Sequence, residues 1–82
     1  MMPTEREMKM NLRFRSYDRF GLVTSTISFL YDMETTDYFN QKVKEYAELT
    51  GQQRVNMKET AHGIFVKFDD GMVFALEKPD AI

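Results

Sequence analysis

The 82-residue chain has no cysteine and a single histidine. The first absence excludes disulfides and thiolate metal sites, and the second leaves no basis for a His-rich one. A domain this small, without such staples, depends on its apolar core alone. Lack of cysteine also fits a reducing compartment. No apolar run approaches the ~20 residues of a membrane span. The opening "MMPTEREMKM" is polar and lacks the apolar stretch of a secretory signal. The expectation is a cytoplasmic protein with no membrane partner. Missing too are a Gly-rich phosphate loop, a His pair and a Cys nucleophile, the combinations that reveal many enzymes. The chain reads as a non-enzyme with no catalytic residues, no cofactor, no metal and no small-molecule substrate.

What is present is the composition of an ordinary folded domain, with 43% hydrophobic and 29% charged residues. Its length allows one core and buries about 60–65% of the unfolded chain's surface. Residues 1–7 read as a loose tail, 8–78 as a single domain and 79–82 as a short tail begun by Pro79, which a central strand would reject. No internal repeat or low-complexity segment interrupts it.

Hydrophobic period separates the elements. Residues 8–15 alternate, with Met8, Met10, Leu12 and Phe14 one way and Lys9, Asn11, Arg13 and Arg15 the other, which predicts a strand. Ser16 to Gly21 have no period and read as a loop. Residues 22–31 form a second β-branched stretch, with Val23, Ile27, Phe29 and Tyr31 apolar and Thr24, Thr26 and Ser28 opposite. Residues 35–51 switch to helical period. Phe39, Val43, Tyr46 and Ala47 form the apolar stripe, Thr35 or Thr36 the expected cap and Gly51 the stop. Alternation returns over 54–60, with Val55 and Met57 inward, and breaks at "AHG". Residues 64–77 predict a hairpin whose register follows from its apolar residues. A three-residue loop, Asp69-Asp70-Gly71, pairs Phe68 with Met72, Val66 with Phe74 and Ile64 with Leu76, so all six share one face.

The fold class is therefore α+β: a two-layer sandwich of a mostly antiparallel five-stranded sheet and one helix, in the order ββαβββ. The expected core is Leu12, Phe14, Val23, Ile27, Phe29, Phe39, Val43, Tyr46, Val55, Met57, Ile64, Val66, Phe68, Met72, Phe74 and Leu76. One helix about 10 Å wide covers some three strands spaced about 4.8 Å apart, so part of the sheet is left over.

Chemistry-bearing residues are sparse. His62, alone at a turn, reads as a polar loop residue. Asp32, Glu34 and Asp37 have the chemistry to hold a hard cation, but their place at a helix start has an ordinary dipole explanation. The outward strand positions are more informative. Lys9, Arg13, Arg15, Arg54, Lys58 and Lys67 are basic there, and Glu77 is the one acid. Aspartate's preference for turns and glutamate's for helices explain part of this bias. Phe65, Val73 and Ala75 also point outward, and an apolar patch rimmed by cations is typical of a contact surface.

Arg13, Arg15, Arg54, Lys58, Phe65 and Lys67 are thus the candidate binding residues. The reading is a regulatory protein-binding module that docks an acidic protein surface, or a second copy of itself as a homodimer. Small, catalytically bare domains, phage-borne ones among them, often act as such adaptors or inhibitors, an analogy from size. The alternative is a nucleic-acid platform, with cations on phosphates and Phe65 stacked on a base. A net charge of −2 disfavours it, because nucleic-acid domains are commonly strongly basic.

Overall fold

Two turns of the same build set the sheet. In each, a glycine three residues past the residue whose carbonyl it bonds turns left-handed and lets the chain fold back. Gly21, at φ 84°, donates to Asp18 O, and Asp18 N–H bonds Leu22 O. Gly71, at φ 93°, donates to Phe68 O, and Phe68 N–H bonds Met72 O at 2.8 Å. A side chain beyond Cα strains such a backbone, which is why glycine closes both loops. The computed structural model describes residues 12–51 and 54–78, with 54 and 55 given by backbone alone.

The elements are β1 (Arg13–Tyr17), β2 (Val23–Ile27), α1 (Asp32–Thr50), β3 (Arg54–Thr60), β4 (Gly63–Phe68) and β5 (Val73–Glu77). Among the described residues they form one antiparallel sheet in the order β2-β1-β5-β4-β3 with one helix, a small α+β fold. The register of β4 and β5 is the predicted one, Val66 opposite Phe74 and Ile64 opposite Leu76. Because β2 and β3 are the two edges, α1 must carry the chain across the whole sheet. Nineteen residues at about 1.5 Å rise give about 28 Å, enough to cross four strand spacings of about 4.8 Å.

The core lies under that crossing. Phe14, Phe39, Val43, Val66, Phe68, Phe74 and Leu76 are buried, with Leu12, Ile27, Tyr38, Tyr46, Ala47, Ile64 and Met72 packed around them. Its centre is aromatic: Phe74 meets Phe14, Tyr46 and Phe68 at centroid distances of 5.7, 5.3 and 5.4 Å. Such tilted and edge-on pairs add to the burial of large apolar surfaces.

Several expectations need correction. β1 begins at Arg13 and runs on to Tyr17, so Ser16 and Tyr17 belong to the sheet, and the expected strand residues 8–11 lie outside the described residues. Val23 is not core. Tyr17 pairs with Val23 while Ser16 pairs with Ser25, and the skipped Thr24 is a bulge that turns Val23 to the other face, 49% exposed. Met57 shares the core side with Val66 but is 56% exposed, because the helix packs over β1 and β5 and leaves this edge uncovered. The side chain of Val55 lies outside the described residues.

The helix also starts earlier than its period suggests. Tyr31 is the N-cap and contributes no side-chain bond. Thr35, expected as a cap, is a fully buried residue of the first turn. Its Oγ1 accepts Phe29 N–H at 3.1 Å and donates to Tyr31 O at 3.4 Å, pinning the entry loop to the helix. Asp32 performs a second tie by accepting Leu12 N–H at 3.1 Å.

Two substitutions test these assignments. A Cβ at Gly71 would lie 2.6 Å from Arg19 Cβ in the neighbouring turn, besides straining the left-handed backbone. Gly71→Val is expected to cost at least ~1 kcal/mol, read as a lowered denaturant midpoint. Phe74→Ala, at a residue only 7% exposed, is expected to cost about 3–5 kcal/mol. An unchanged midpoint in either variant contradicts the corresponding assignment.

Candidate protein-binding face

The face of the sheet away from α1 is ordered into rows by the strand register. One row runs Thr26, Arg15, Ala75, Phe65, Lys58 across all five strands. A second holds Tyr17, Val73, Lys67 and Asn56, and a third Arg13, Glu77, Gly63 and Thr60. Sequence alternation placed Arg13, Arg15, Lys58, Phe65 and Lys67 on this face, and the register brings Arg15, Phe65 and Lys58 into line. Arg54 opens β3, but its side chain lies outside the described residues.

Glu77 organises one end of the face. Its Oε1 accepts Arg13 Nε at 3.1 Å and Nη2 at 2.8 Å, while Oε2 accepts the Tyr17 hydroxyl. Arg15 Nε is 3.9 Å from Oε1, too far for a hydrogen bond, and is sealed from solvent with no acceptor among the described residues. The side chains of Arg13 and Arg15 are only 28% and 31% exposed, and that of Glu77 only 12%. Both arginines were expected to stand in solvent. They instead lie along the sheet, drawn toward the carboxylate across β5. Converting them to glutamate would crowd new carboxylates against Glu77, so they are structural as well as candidate binding residues.

Sequence reasoning missed this network. Glu77 lies 64 positions along the chain from Arg13 and 60 from Tyr17, and nothing local signals that β1 and β5 pair. Ala75 was likewise expected in an exposed patch, yet it has no exposed surface. Arg15 and Phe65, its neighbours across the strands, shield it. Phe65 itself is half-buried, so the apolar centre is smaller than the sequence suggested.

Lys58 and Lys67 are exposed, and neither has an acidic partner among the described residues. The described rows thus hold four cations against one carboxylate. The acids lie elsewhere: Glu34, Asp37, Glu45 and Glu48 are exposed on α1. The two faces of the sandwich therefore differ in sign.

No other site competes strongly. His62 is exposed in the β3–β4 turn, where its N–H bonds Thr60 Oγ1 at 3.0 Å. Asp32 holds Leu12, and no group of three or more ligating side chains among the described residues is arranged for a metal. A groove of about 310 Å³ between the two glycine turns and α1 is lined by Asp18, Arg19, Phe20, Tyr46, Asp70 and Met72. Its carboxylates are engaged: Asp18 accepts two backbone N–H groups, and Asp70 accepts Met72 N–H and the Tyr46 hydroxyl. No helix among the described residues is long and apolar enough to cross a membrane. No protein-family model, curated protein or solved structure matches the chain.

The network carries a pH signature. Burial, and then the hydrogen bond to Glu77, push the Tyr17 phenol above its ordinary value of 10.0. The folded state thus favours the protonated phenol, and this contribution is intact below the unfolded value. It is lost as pH rises through the folded one. Tyr46, raised by its bond to Asp70, adds to the same alkaline loss. Tyr17→Phe is expected to flatten the fall in stability above pH 10.0 without removing it. A denaturation series of the same slope in variant and parent would contradict the role given to Tyr17.

Proposed function

We propose that the protein is a small protein-binding module, of adaptor or inhibitor type, that docks an acidic surface of a partner protein on the free face of its sheet. The observation that carries this reading is the row Arg15, Ala75, Phe65, Lys58 with Lys67 beside it. It sets a half-buried aromatic among cations, on the layer that the helix does not cover. Phe65 offers the desolvated anchor, Lys58 and Lys67 the steering charge, and Arg15 the planar donor set suited to carboxylates. Glu77 occupies Arg13 more fully than Arg15, which leaves Arg15 the better placed for a partner.

A nucleic acid is the other polyanion such a face attracts, and Tyr17 adds a second aromatic to it. The Tyr17 hydroxyl is tied to Glu77, however, and the acidic helix and net charge of −2 oppose an extended polyanion.

The sharpest test reverses the two exposed lysines. Lys58→Glu with Lys67→Glu is expected to leave stability within about 0.5 kcal/mol, as surface changes generally do. It should weaken capture of an acidic partner by about tenfold or more. A folded double mutant that keeps full affinity contradicts the proposal. So does sub-micromolar binding of random oligonucleotides near physiological salt, with a log–log salt slope of about −0.7 per single-strand phosphate contact.

A further inference from the structure

The two edges of the sheet are built differently. β3 carries Arg54, Lys58 and Glu59, the kind of charge that discourages another strand from adding to an edge. β2 carries none. It reads Val-Thr-Ser-Thr-Ile, lies within an uncharged stretch from Phe20 to Tyr31, and among the described residues pairs on one side only, with β1. Its residues are β-branched or hydroxylated, which suits pairing on both sides. Large apolar side chains crowd both of its ends: Leu22 is 64%, Val23 49% and Leu30 57% exposed.

We infer that β2 is the contact edge of a homodimer, in which the β2 strands of two copies pair antiparallel and join two five-stranded sheets into one. Charge selects a second copy as the occupant. Two identical acidic chains repel, and a two-fold axis tends to bring like charges together, so their contact must be free of charge. The stretch 20–31 meets that condition in any register, setting only hydroxyl, glycine and apolar positions opposite one another. The bulge at Thr24 disturbs the strand's first half, so regular pairing belongs to the second half, near Ile27. The exposed Leu22 and Leu30 then flank the contact and lose surface to water.

Antiparallel pairing places the two-fold axis perpendicular to the sheet. Both free faces then lie on the same side, and the dimer presents two copies of the basic face to one partner. This inference stands apart from the proposed function, since β2 carries none of the cations of the free face.

The test uses the full chain without modification. Its mass in solution, followed from low-micromolar to high-micromolar concentration, is expected to rise from one chain to two. Amide hydrogen exchange compared at the two extremes should show added protection in residues 24–29 and not in β3. Leu22→Lys with Leu30→Lys, both exposed positions that flank β2, should raise the dimer dissociation constant by about tenfold or more while circular dichroism stays unchanged. Capture of an acidic partner at low concentration should be unaffected by that pair, which separates this inference from the proposed function. A monomer at every concentration overturns the inference, as does exchange in β2 that is independent of concentration. A dimer protected at the free face instead overturns it in favour of that face, and if the lysine variant fails to fold, the exchange comparison on the parent chain decides.

Discussion

One helix has to seal one face of a five-stranded sheet. That constraint shapes the rest of the molecule. The helix packs over β1 and β5, where its buried Phe39 and Val43 join the core, while Thr35 ties its first turn to the entry loop. The aromatic side chains beneath it are large enough to fill the space from few positions. Where the helix does not reach, the sheet manages differently on each side. The β3 edge leaves Met57 exposed among charged neighbours, and the β2 edge leaves an uncharged strip.

No helix among the described residues covers the opposite face, which shields itself in part. Ala75 is sealed by the side chains around it, and Glu77 draws Arg13 and Tyr17 across β1. Desolvation offsets much of the attraction in an ion pair this far buried. Its consequence is geometric. Glu77 holds Arg13 by two hydrogen bonds and makes none to Arg15, whose Nε stands 3.9 Å away. The same half-burial that lowers the value of the pair makes the guanidinium less costly to desolvate in a contact.

Both surfaces singled out here follow from incomplete coverage rather than from a cleft. Neither requires a cavity or a cofactor. The proposed acid-binding cations lie on β1, β4 and β3, and the proposed dimer edge is β2, so the two proposals do not compete for the same strand. Charge segregation supports the division: acids on α1 keep the helical layer from attracting the same partners as the sheet.

Local pattern determined much of this protein. The helix, the alternating strands, the order ββαβββ and the register of β4 against β5 are all legible. Side-chain period and a left-handed glycine are short-range constraints, and in the β4–β5 hairpin they agree. Legible for the same reason is the side of the sheet on which Arg13, Arg15, Lys58, Phe65 and Lys67 fall. The tertiary structure decided the rest. A bulge of one residue at Thr24 reversed Val23, and nothing in the strand's own alternation announces a bulge. Thr35 became a buried tie because the loop before it packs back on the helix. The arginines lost their solvent because β1 and β5, from opposite ends of the chain, pair at the sheet's centre and bring Glu77 between them. Alternation assigns a residue to a face. Only the pairing of distant strands decides what stands beside it there.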